Sequence, residues 1–167
     1  MPVRCLRTAM CVAATVVGLF SYTAPAAQAA PKAWAGRYVM VTYASQKGGT
    51  SMAVRQRESD FSAAFEITTN CSAGTCVATV TGPASSNPTV PNPQRFTWDG
   101  QQWKSVYEWV WQCSLGDDSA QSQWSPAQSW TFYTPQPDGS LQGMWHTDIA
   151  SGACRGSVVM PIAAVPA

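Results

Sequence analysis

The chain has 167 residues, ten of them basic and nine acidic, for a formal net charge of +1. So even a balance, with charged residues at only 11%, argues against nucleic-acid binding through phosphates and against a polybasic membrane anchor. The length suits one domain with a real core.

The first element is a leader. Residues 1–7 carry Arg4 and Arg7 and no acid, residues 9–22 are apolar, and a stretch of small residues ends in Ala27-Gln28-Ala29. Charged start, apolar middle and A-x-A end make a signal-peptide pattern. The apolar run falls short of the roughly 20 residues a spanning helix needs. Cleavage is expected between Ala29 and Ala30, since one residue later Pro31 would follow the scissile bond. Residues 1–29 are therefore read as a signal peptide with a signal helix, and 30–167 as a secreted all-β domain. With no adjacent Arg pair, export through the Sec route is expected rather than twin-Arg export. Cys5 and Cys11 lie before and inside the apolar run, where a lipoprotein cysteine does not sit. No later segment is apolar enough to span a membrane. Cleavage removes Arg4 and Arg7, which leaves eight basic residues against nine acidic ones.

Strand signals dominate the remainder: β-branched and aromatic residues at period two, between Gly, Pro, Asn and Asp punctuation. Strands are expected at 36–44, 61–68, 76–81 and 95–98. Asp99-Gly100 marks a hairpin. In the long run that follows, Trp103, Tyr107, Trp109, Trp111 and Cys113 share one face, and Lys104, Val106, Glu108, Val110 and Gln112 the other. Further strands are expected at 129–134, 141–147 and 154–162, with a second hairpin at Asp138-Gly139. Residues 50–59 are compatible with a helix but have poor apolar periodicity. Eight sequential antiparallel strands suggest an up-and-down β-barrel, lipocalin- or avidin-like, with a β-sandwich as the alternative. Three long loops are expected, at 46–60, 82–94 and 114–128. The second holds four prolines and no charge, so it should be extended.

Cleavage leaves four cysteines: Cys71, Cys76, Cys113 and Cys154. An even count in an exported chain reads as disulfides. Cys71–Cys76 brackets a tight turn, so cross-strand closure is easy there. Cys113–Cys154 then closes a long loop. Zinc is disfavoured, because the Cys71–Cys76 spacing is long and His146 is the one histidine. No metal and no cofactor is expected.

Tryptophan is the outstanding compositional signal, with eight residues, all beyond the leader. They either line a cavity for an apolar or sugar ligand or simply fill a barrel core. Trp109 and Trp111 are candidate ligand contacts. Trp124 falls in the expected loop at 114–128 and is the best candidate for an exposed contact.

Catalytic patterns are poor. Gly49-Thr50-Ser51-Met52-Ala53 lacks the last glycine of the nucleophile elbow and its strand–helix setting. His146 sits mid-strand. Asp117-Asp118 and Glu108 do not make a recognisable glycosidase pair or calcium loop. No catalytic residue is assigned.

The segment 34–38 (WAGRY) resembles the opening of lipocalin- and avidin-like barrels, where an aromatic plugs the closed end. Together with 47–53 (KGGTSMA), 87–91 (NPTVP), 96–100 (FTWDG), 137–148 (PDGSLQGMWHTD) and 154–161 (CRGSVVMP), it resembles a group of small secreted proteins of mycobacteria and related actinomycetes. That resemblance implies export, an envelope or culture-medium location and the four-cysteine framework. It brings no functional residues with it.

The reading that results is a secreted, non-enzymatic binding or interaction module, monomeric, with an envelope, host or small-molecule partner. The alternatives are a carrier of a small apolar or sugar ligand in a Trp-lined barrel, and a hydrolase with an unrecognised site.

Overall fold

The structure is a computed structural model describing residues 34–72, 74–116 and 122–167. The leader with its expected signal helix, and Asp117-Asp118, lie outside the described residues. Among the described residues eight strands follow in chain order: β1 (Gly36–Thr42), β2 (Phe61–Ser72), β3 (Thr75–Thr81), β4 (Gln94–Trp98), β5 (Trp103–Ser114), β6 (Ser122–Pro135), β7 (Leu141–Ile149) and β8 (Gly156–Pro166). Each pairs antiparallel with the next, and β8 returns to β1. The fold is thus the up-and-down barrel expected from the sequence, and the sandwich is not realised.

Alternating strand direction sends successive connections to opposite ends. At one end the turns are tight. Asp99 Oδ1 accepts hydrogen bonds from the backbone N–H of Gln101 and Gln102 at 2.9 and 2.8 Å. Asp138 Oδ1 accepts from the N–H of Ser140 in the same way. These side-chain turns are why Asp-Gly is a dependable hairpin signal. The Cys71–Cys76 disulfide closes the β2–β3 hairpin at this end.

This tight end is packed solid. Trp34 precedes β1 and is 2% exposed, wedged between Phe96, Trp103 and Tyr133 with ring centroids 5.1 to 6.0 Å away. The Thr69 hydroxyl holds its carbonyl. Ile67, Val80, Leu141 and Ile162 complete the plug. A ring of this size buries enough area to contribute several kcal/mol, on the order of 3–5 for loss to alanine.

The opposite end carries the long connections. The second cluster lies there, with Ala44, Ala53, Val158 and Met160 around the Cys113–Cys154 disulfide. The helix-compatible stretch forms only one 3-10 turn, Met52–Arg55. Ser51 caps it, accepting from the Ala53 N–H and donating to the Cys154 carbonyl at 2.6 Å.

Two expectations are corrected. The loop expected at 114–128 is mostly strand, since β5 runs to Ser114 and β6 begins at Ser122. Residues 122–128 have almost no β-branched or large apolar members, so their own pattern is silent. They pair because β5 presents large rings opposite their small side chains: Tyr107, Trp109 and Trp111 face Ser129, Ala127 and Ser125. β8 also begins two residues after Cys154, which sits in the β7–β8 connection.

One seam of the wall is short. β4 meets β5 only at Thr97–Lys104 and Trp98–Trp103. Beyond it, the proline-rich β3–β4 connection covers the edge of β5. Asn87 Nδ2 donates to the Val110 carbonyl at 2.7 Å, and the Val110 N–H donates to Thr89 Oγ1 at 3.0 Å.

Candidate functional site: a tryptophan-lined cavity

Above the plug the barrel is hollow. A cavity of about 610 Å³ opens toward the end with the long connections. Its floor is the top of the plug, Val80, Tyr133 and Ile162. Tyr107, Trp109, Trp111 and Trp145 form one wall, and Met40, Ala63 and Phe65 the other. The β3–β4 connection, from Pro83 to Asn92, lines the side left open by short β4.

The period of β5 explains the wall. Odd-numbered residues face inward from Trp103 to Cys113, so the strand delivers Trp103 to the plug, Tyr107, Trp109 and Trp111 to the cavity, and Cys113 to the disulfide. Filled core and lined cavity are both present, at different depths of one face.

A hydroxyl fixes the rings. Ser129 Oγ accepts from Trp109 Nε1 at 2.9 Å and from Trp145 Nε1 at 3.0 Å. With both lone pairs engaged, it donates to Thr147 Oγ1, 2.7 Å away. The two indoles are thereby held stacked, 6.0 Å apart with planes 30° from parallel. Trp111 meets Trp109 edge-on at 5.4 Å. Sequence reasoning misses Ser129. The signal is there, since a small polar residue faces large aromatics across a hairpin, but reading it needs the β5–β6 register.

Burial pushes the Tyr107 phenol up to about 12, against a smaller lowering effect of the polar side chains of Ser129, Trp145 and Gln94 beside it. Tyr133 is raised further, first by burial and then by its neighbour Tyr107. Both phenols are therefore neutral across the biological range. Glu58 stands at the mouth, paired with Lys47 Nζ at 2.8 Å.

The other candidates fall elsewhere. Trp124 lies on β6 rather than in a loop. It is an even-numbered residue of that strand, so it faces outward, 52% exposed, and does not join Trp109 and Trp111. His146 lies on the outer wall with Nε2 2.9 Å from Asp148 Oδ1 and its ring edge-on to Trp130. Ser51 is buried at the rim as a helix cap. The structure does not bring Ser51 and His146 together as nucleophile and base. No cluster of metal-ligating side chains occurs among the described residues.

The family model of the PknI serine/threonine-protein kinase sensor domain matches residues 30–167. The chain belongs to the PknI sensor-domain family. This sharpens the resemblance to small secreted mycobacterial proteins without functional residues to transfer. The family has a named sensing role, and its match starts at Ala30. Among solved structures, the monomer form of the M. tuberculosis PknI sensor domain aligns with a TM-score of 0.58 and 18% identity, covering 83% of this chain and 90% of that one. At that identity the likeness shows the fold. The dimer form of the same M. tuberculosis domain aligns with a TM-score of 0.49 and 21% identity, over 65% of this chain and 73% of that one. Comparison with curated protein sequences gives no match.

Proposed function

We propose that this member of the PknI sensor-domain family is an exported, non-enzymatic binding module that takes a small apolar ligand in its Trp-lined cavity. The observation carrying the proposal is the 610 Å³ hollow above the plug, walled by Trp109, Trp111 and Trp145. Pockets of several hundred Å³ with aromatic walls and few polar groups suit small-molecule ligands. The Ser129 hydrogen bonds supply preorganisation, because the rings need no ordering on binding. Two disulfides and the leader pattern at 1–29 favour an extracytoplasmic site of action after cleavage at Ala29.

Pyrene tests this reading, since it is apolar, uncharged and accepts energy from tryptophan. Excitation of the indoles should give saturable pyrene emission at about one molecule per domain. Ala63→Phe, which fills the cavity from the facing wall, should abolish it while leaving the circular dichroism of the barrel intact. Folded parent protein with no saturable pyrene signal would sink the proposal.

A further inference from the structure

The cavity floor carries two hydroxyls with nothing to bond. Thr131 and Tyr133 are inward-facing residues of β6 that line the cavity, 7% and 3% exposed. Neither hydroxyl has a hydrogen-bond partner among the described residues. Neither is sealed in, unlike the indole nitrogens of Trp34 and Trp103 within the plug. Hydroxyls open to the bottom of an apolar cavity and not engaged by the protein are free to bond the polar end of a ligand.

Charge narrows what that something is. Among the described lining residues Glu58 is the charged one, and it stands at the mouth. The neighbouring cation, Lys47, has a side chain 6% exposed and is already paired with Glu58. An anionic head carried to the floor would find no cation, and its desolvation would go uncompensated. Between floor and mouth the wall offers Trp109, Trp111, Trp145, Phe65 and Met160, surfaces that suit a hydrocarbon body.

We propose that the cavity selects uncharged amphiphiles, bound with a hydroxyl or carbonyl end down against Thr131 and Tyr133 and the apolar body along the tryptophans. This rests on the cavity being a binding site, and it adds the ligand's charge, polarity and direction.

The test displaces pyrene with dodecanol and with dodecanoate, in the parent domain and in the Thr131→Val/Tyr133→Phe variant. Dodecanol should displace pyrene at concentrations at least about tenfold below those of dodecanoate, because the carboxylate must be desolvated without a partner. In the variant the ratio of dodecanol to pyrene affinity should fall about tenfold, the worth of one or two lost hydrogen bonds. Equal displacement by dodecanoate overturns the charge assignment. An unchanged dodecanol-to-pyrene ratio overturns the role of the two hydroxyls. Absence of pyrene binding in the parent overturns the binding reading itself and this proposal with it.

Discussion

Gly143 shows how little room single residues have in this wall. A Cβ built there would lie 1.7 Å from the carbonyl oxygen of Phe132 on the neighbouring strand. Backbone cannot yield as a side chain can. Gly143→Ala should therefore destabilise the barrel by about 3 kcal/mol or more, read from the urea midpoint. Gly82 has the same relation to a side chain. A Cβ at this position would meet the Phe65 ring at 2.2 Å, so this glycine sets where one cavity wall stands. The two phenols predict a pH effect with a definite sign. In the unfolded chain a tyrosine ionises near 10, whereas Tyr107 in the barrel is held at about 12 and Tyr133 is raised as well. Below the unfolded value the folded and unfolded states carry the same protons. Above it the unfolded state loses protons that the fold retains, so stability falls as pH rises from about 10 toward 12. Tyrosinate absorbance should show these two phenols titrating last, with the urea midpoint falling over the same window. Ionisation of Tyr107 alongside exposed tyrosines would contradict this.

At the scale of elements, the β3–β4 connection shows what a proline-rich segment does when it is not a linker. Asn87 holds it in shape, with Oδ1 accepting from the N–H and hydroxyl of Thr89 at 3.0 and 2.6 Å while Nδ2 reaches Val110. Asn87→Ala should release Thr89 and speed amide exchange at Val110, at a cost of about 1–2 kcal/mol. Unchanged protection at Val110 would mean the prolines alone hold the segment. This connection is legible in the sequence as extended, but its position is not, because nothing in residues 82–94 says that β4 stops short. The same limit governs β6. Strands whose rings recur at period two, as Tyr107, Trp109 and Trp111 do on β5, declare both existence and facing, and the Asp-Gly turns tie them to their neighbours. Ser125, Ala127 and Ser129 are small because rings from β5 fill the space before them, so their identity as strand is written in another segment. The cavity suffers the same way. Trp109 and Trp111 are recognisable as inward-facing, yet whether that face is filled depends on what stands opposite. Trp124 misleads for a related reason, its polar surroundings being the signature of a loop.

For the molecule as a whole, the Cys113–Cys154 bond ties the end of β5 to the β7–β8 connection across 41 residues of sequence. Replacing both by alanine should remove about 3–4 kcal/mol in the chain-entropy description. The loss should appear in urea unfolding, with the Cys71–Cys76 hairpin little affected. A retained midpoint would show that the rim cluster holds without its crosslink. This bond braces the mouth, while the plug is held by packing of aromatic and aliphatic side chains beside the Cys71–Cys76 hairpin bond. Each end carries one disulfide, but the one at the plug closes a separation of 5 residues and the one at the mouth a separation of 41, so reduction should cost the mouth more. The short meeting of β4 with β5 has a consequence of another kind. A closed barrel has no fraying edge, so its resistance to parting is set by its weakest stave joint, and this one joins at Thr97–Lys104 and Trp98–Trp103. Pulled or heated, the cylinder should split along that line. Traffic between interior and solvent then has a route through the side of the cask as well as over its rim.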